Sequence, residues 1–149
     1  VFNVLGRFSF LVGAGIAFFG ALIHSIAPVI GPDWYAFLHA PKWVVTSAQN
    51  GTWHAPIGTA VVGTLMFACG IYALSGLGVI KRIPLTTPAL WTISSICLLR
   101  GGIIFPLLIK VPEKLSGFDI VASLVWFAAG LSFFLGILGH APKASKQVG

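Results

Sequence analysis

Four apolar stretches dominate the chain, at about residues 8–30, 55–80, 88–109 and 118–138. Each exceeds the ~20 residues that an α-helix needs to cross a ~30 Å hydrocarbon core. Lipid offers free backbone groups no partners, so spans of this length must fold as helices. Nowhere does the chain alternate polar and apolar residues in the manner of a membrane barrel strand, which excludes that architecture. The expected fold is all-α: a single domain over residues 1–149, built as an integral membrane four-helix bundle.

The breaks between the stretches carry boundary residues. Gly31-Pro32 follows the first, Lys81-Arg82-Ile83-Pro84 separates the second and third, and Lys110-Val111-Pro112-Glu113-Lys114 separates the third and fourth. Ser116 and Asp119 have the spacing of a capping box at the start of the fourth helix. Within the helices, small residues recur at helical spacing: Gly13, Ala17 and Gly20 with His24, then Thr59, Gly63 and Gly70, then Ser123, Gly130 and Gly136. Such stripes let membrane helices approach closely, either within the bundle or against another protein.

Composition agrees with a lipid environment. The chain is 57% hydrophobic and 8% charged, against about 25% charged in a soluble domain. The net charge of +6 does not point to nucleic acid, because the basic residues are scattered at the flanks of apolar segments and form no stripe. Their distribution instead sets an orientation. With the N-terminus inside, Arg7, Lys81, Arg82, Lys143 and Lys146 flank the inner side, and Lys42, Lys110 and Lys114 the outer side. The excess favours N-in/C-in, in a multi-pass protein expected in a bacterial inner membrane. The first stretch is too long for a signal-peptide core and has no convincing cleavage site, so it is read as a helix. Cys69 and Cys97 fall inside apolar segments and are read as small buried hydrophobes.

Arg100 is the clearest anomaly, lying well inside the third helix. A charge there should face the bundle with a partner. Asp119 is the only acidic side chain inside an apolar stretch, and a short loop joins the two helices, so an Arg100–Asp119 pair is expected. That pair is either a structural pin or part of an anion site, since a guanidinium fork matches carboxylate and phosphate. Pro106, with Gly101-Gly102, predicts a kink beside it. His24 lies on the small-residue face of the first helix. His39 and His54 belong to the first outer loop and its border, with Asp33 nearby, while His140 lies on the other side. A divalent metal on His24, His39, His54 and Asp33 is an alternative ranked below ordinary hydrogen-bonded histidines. A haem on His24 and His54 ranks lower still. No catalytic group is assigned, because no nucleophile stands beside a base and no metal-protease pattern occurs.

The loop from residue 31 to 56 is rich in Trp34, Tyr35, Trp43 and Trp53, side chains that anchor at a water–lipid boundary. It is too long for a tight link, so an interfacial helix or cap over the outer end is expected. Asn50-Gly51-Thr52 matches a glycosylation acceptor, a triplet frequent by chance. Trp34-Tyr35-Ala36-Phe37-Leu38, followed by Ala40-Pro41 and Trp43, resembles a loop of small, uncharacterised bacterial inner-membrane proteins. Over ten residues it also resembles the W-Y-x-x-L-x-x-P-x-W loop of the TspO/translocator family. The matched positions are Trp34, Tyr35, Leu38, Pro41 and Trp43. That family has five spans where four are read here, and its proline-rich continuation is replaced by Val44-Val45. The resemblance implies a loop that covers a ligand.

The reading that follows is a non-enzymatic membrane protein that binds, carries or senses a lipophilic or anionic small molecule from the outer side. Arg100 would hold the anionic group, His24 and Asp119 would tune the site, and Trp34, Tyr35 and Trp43 would close it. The alternative is an accessory subunit of a larger membrane complex, or a homo-oligomer, docking through the small-residue stripes. An enzyme acting on lipid or quinone comes third.

Overall fold

The computed structural model describes residues 4–140, without the side chain of His140. The polar tail with Lys143 and Lys146, both part of the charge count above, lies outside the described residues. Among the described residues every regular element is a helix. Helix α1 covers Val4–Ile30, α2 Pro32–Phe37, α3 Lys42–Gln49, α4 His54–Leu77, α5 Thr86–Gly102, α6 Ile104–Lys110 and α7 Gly117–His140, with a 3-10 turn at Pro112–Lys114. Four of these segments, with α5 and α6 taken as one, are long and apolar enough to cross a membrane.

Local chemistry sets the ends. Pro56 and Pro88 occupy the first turns of α4 and α5, where the missing N–H would have had no partner anyway. Helix α4 stops at Leu77, short of residue 80, because Gly78 turns left-handed at φ 74°. Val79 and Gly78 then return their N–H groups to Leu74 O and Ser75 O, closing the helix end. The same motif ends α2, with His39 in the left-handed position at φ 53° and Ala40 and His39 bonded back to Tyr35 and Ala36. The third apolar segment is interrupted at Ile103. Three residues on, Pro106 has no N–H for the carbonyl of Gly102.

Helix α1 is the hub, packed along both α4 and α7, while α5 packs along α7 and meets α4 much less. Glycine notches make these contacts close. Phe133 lies over Gly13, Phe10 over Gly136, and Phe18 over Gly70. Phe10, Ala73, Leu77, Leu90, Ala129 and Phe133 form one core, drawn from all four long helices. The small-residue stripes are therefore consumed inside the molecule. Gly63 faces Ala21 O, Gly130 faces Leu98 N, and Gly101 faces the backbone of Ser123 and Phe127.

Hydroxyls tie the turns together. At the end that holds residues 78–85, Ser75 Oγ accepts from Ile83 N at 2.9 Å and meets Thr86 Oγ1 at 3.0 Å. At the opposite end, Ser47 Oγ accepts from Ala55 N at 3.0 Å and pairs with Thr52 Oγ1 at 2.6 Å. Residues 31–53 form a cap there through α2 and α3, fixed by a second small core of Ala27, Tyr35 and Ala55.

Candidate functional site

A groove of about 640 Å³ runs between α1 and α4. It exists because the two helices come together on small residues. Ala21 and Gly63 let the backbones approach, so the side chains beside them leave a channel along the seam. Phe18 and Phe67 bound the groove, with ring centroids 5.4 Å apart in an edge-to-face contact. Pro28 and Ala60 also line it. A volume of this size, mostly apolar with a few polar groups, is in the range of small-molecule sites.

Three polar side chains line the groove: His24, Ser25 and Thr64. His24 Nδ1 donates to Gly20 O at 2.8 Å. A carbonyl can only accept, so Nδ1 carries the proton and Nε2 of a neutral ring is a bare acceptor. Ser25 Oγ spends its proton on Ala21 O at 2.8 Å and keeps its lone pairs. Pro28 has no N–H for the carbonyl of His24. Thr64 is exposed, and its hydroxyl has no protein partner among the described residues. The groove thus offers acceptors at His24 and Ser25 and a hydroxyl at Thr64 that can donate or accept, inside an apolar channel.

The other expected site residues lie elsewhere. Arg100 and Asp119 are not brought together. Asp119 is taken by its own helix start and by the cap. Its carboxylate accepts from Ser116 N at 3.0 Å and Ser116 Oγ at 2.7 Å, while Asp119 N donates back to Ser116 Oγ at 3.2 Å. That is the reciprocal capping box. The second carboxylate oxygen accepts from His39 Nδ1 at 3.2 Å, and the His39 ring stacks on Phe118 with centroids 4.5 Å apart. Arg100 is exposed and makes no hydrogen bond or ion pair among the described residues. The reason is helical phase. Gly101 is the residue pressed against α7, opposite Ser123 and Phe127, and one residue earlier on a helix is turned away by about 100°. The expected pin is therefore replaced by the His39–Asp119 contact, and Arg100 stands on an open face at a depth where insertion costs roughly 2.5–3.5 kcal/mol.

Compared with known proteins, the chain matches no family model, no curated protein and no solved structure. The loop likeness therefore rests on residues 34–43 alone. There, Tyr35 is buried, with its hydroxyl 3.4 Å from Thr59 Oγ1. Trp34 Nε1 donates to Ile23 O at 3.3 Å and its ring stacks on Phe37. Trp43 is exposed. None of the three lines the groove, although Trp34 docks on α1 one residue before His24.

Nor does the structure gather the candidate metal ligands. Among the described residues no three His, Cys, Asp or Glu side chains are close enough to hold an ion. His24 lies in the groove, His39 is on Asp119, and His54 and Asp33 are exposed. Cys69 and Cys97 are free thiols, half-buried and buried. Sequence reasoning missed Ser25, Thr64, Phe18 and Phe67. Their only sequence signal is their place on helix faces shared with His24 and Gly63.

Proposed function

We propose that this is a non-enzymatic, multi-pass membrane protein that binds a lipophilic small molecule in the groove between α1 and α4, to carry or sense it. The observation that carries the reading is the pair of acceptors at His24 and Ser25, with the unpartnered hydroxyl of Thr64 beside them, inside an otherwise apolar channel. Hydrocarbon alone leaves a bare imidazole nitrogen without a donor, whereas a ligand with a hydroxyl or amide N–H completes it. An alcohol or phenol on an apolar body fits better than an anion, because Arg100 does not line this groove.

The orientation we infer is N-in/C-in in a bacterial inner membrane, with the α2–α3 cap on the outer side. The excess of basic residues on the inner flanks supports it. The exposed Trp43 and Trp53 suit a cap that rests in the headgroup layer. Trp34, Tyr35 and Trp43 then act by holding the cap against α1 and the interface, while Asp119 anchors it through His39.

The test is extraction. The full chain is purified from its native membrane in mild detergent, and its bound lipophiles are measured against Ala60→Phe, which fills the groove from an exposed lining position. The reading expects a hydroxyl-bearing or amide-bearing molecule enriched on the wild type and lost from the variant. Equal lipid profiles from two well-folded proteins would refute it.

A further inference from the structure

Arg100 stands in an apolar surface that nothing among the described residues completes. Ile96 and Leu99 of α5 and Ile103, just beyond its end, surround it, and each is more than half exposed. The residue lies within the 25-residue span Thr86–Lys110. It is about 21 Å from the Thr86 end and about 15 Å from the Lys110 end at 1.5 Å per residue. Side chains on a helix lean toward its N-terminus, so this one starts toward the farther end. Neither headgroup layer is within easy reach. A guanidinium brings five N–H donors and a charge, and hydrocarbon supplies neither acceptor nor counter-ion.

A second copy of the chain does not supply one either. All three acidic residues, Asp33, Glu113 and Asp119, sit at the cap end, in the first turns of α2, the 3-10 element and α7. Whether parallel or inverted, a copy would place no carboxylate at the depth of Arg100. A parallel two-fold arrangement through this face would set Arg100 against Arg100.

We propose that the face formed by Ile96, Leu99 and Arg100 of α5, with Ile103 just beyond it, docks a transmembrane helix of another protein, one that presents an Asp or Glu carboxylate at the depth of Arg100. The guanidinium fork pairs bidentately with a carboxylate, and the three aliphatic side chains pack around that contact. No α5 residue lines the groove between α1 and α4, so the docking face stands whether or not the groove holds a ligand.

Synthetic single-span helices of Leu and Ala, with Asp or Leu at the centre and a donor fluorophore, provide the probe. They are incorporated with the acceptor-labelled full chain in phosphatidylcholine vesicles. The Asp helix associates about tenfold more tightly than the Leu helix, an effect of the size seen for polar contacts between model membrane helices. Arg100→Leu removes that difference, and Arg100→Asp with a Lys-bearing helix restores it. Because the guanidinium makes no hydrogen bond or ion pair among the described residues, Arg100→Leu melts no lower than the wild type. A lower melting point would place the guanidinium inside the fold and overturn the proposal. So would equal association of the Asp and Leu helices, or an Asp-helix association that survives Arg100→Leu. Self-association of the full chain that Arg100→Leu abolishes would make the occupant a second copy. Loss of the Asp-helix association on adding phosphatidylglycerol would make it a lipid phosphate. Either result contradicts a partner helix.

Discussion

Gly101 and Gly102 are adjacent, yet the structure predicts opposite effects for the same substitution. A Cβ on Gly101 would meet the backbone of α7, overlapping Phe127 N and lying 2.6 Å from Ser123 O. Backbone atoms cannot rotate away, so Gly101→Ala must push α5 and α7 apart. Overpacking of this kind costs about 1–3 kcal/mol. Separation also strains the buried bond from Ser94 Oγ to Gly130 O, 2.9 Å long, worth about 1 kcal/mol. The expected loss is about 2–4 kcal/mol. At Gly102 the nearest atom, Phe127 Cε2, is 4.0 Å from the added Cβ, an ordinary contact. There the substitution brings only the helix propensity of Ala, up to about 1 kcal/mol in favour. The assay is reversible unfolding in mixed micelles by denaturing-detergent titration, followed by Trp fluorescence. Gly101→Ala should lower the midpoint sharply, and Gly102→Ala should hold or raise it. Equal shifts, or a neutral Gly101→Ala, would refute the close α5–α7 packing.

Three further outcomes follow from the geometry. Ser116→Ala removes the cap hydroxyl of α7 and should cost about 1 kcal/mol by the same unfolding assay, with a result near zero refuting the cap. At the left-handed position 39, His39→Gly should be about 1 kcal/mol more stable than His39→Ala, because both lose the Asp119 and Phe118 contacts but only Ala keeps the strained backbone. The reverse order would contradict that conformation. For orientation, a reporter fused after Gly149 should report the cytoplasm and a tag at Asn50 should be accessible from outside; an exposed C-terminus would overturn the N-in/C-in assignment.

What the sequence reveals here is what acts over one or two helical turns. The capping box of Ser116 and Asp119 is local, so three residues of spacing sufficed to find it. The interruption before Pro106 follows from a missing N–H, and the close packing at Gly13, Gly63 and Gly130 follows from size alone. The partners of Arg100 and Asp119 are a different matter. Polar residues of α5, such as Thr92, Ser94, Ser95 and Arg100, do not gather on one face, so no pattern tells whether residue 100 or 101 faces α7. The His39–Asp119 contact joins positions 80 residues apart, and it depends on a non-glycine residue taking a left-handed turn. The groove is harder still, because it arises where α1 and α4 leave space beside Ala21 and Gly63. A pattern of residue types records what packs and is silent about gaps between packed helices.

On the proposed function, the seam of α1 and α4 holds a lipophilic molecule anchored at His24. A density map of the full chain in native-lipid nanodiscs tests it most directly. The expected result is one defined, non-phospholipid density between Phe18, Thr64 and Phe67, with a donor atom within hydrogen-bonding distance of His24 Nε2. Density for ordinary acyl chains alone, with Nε2 facing hydrocarbon, would contradict it.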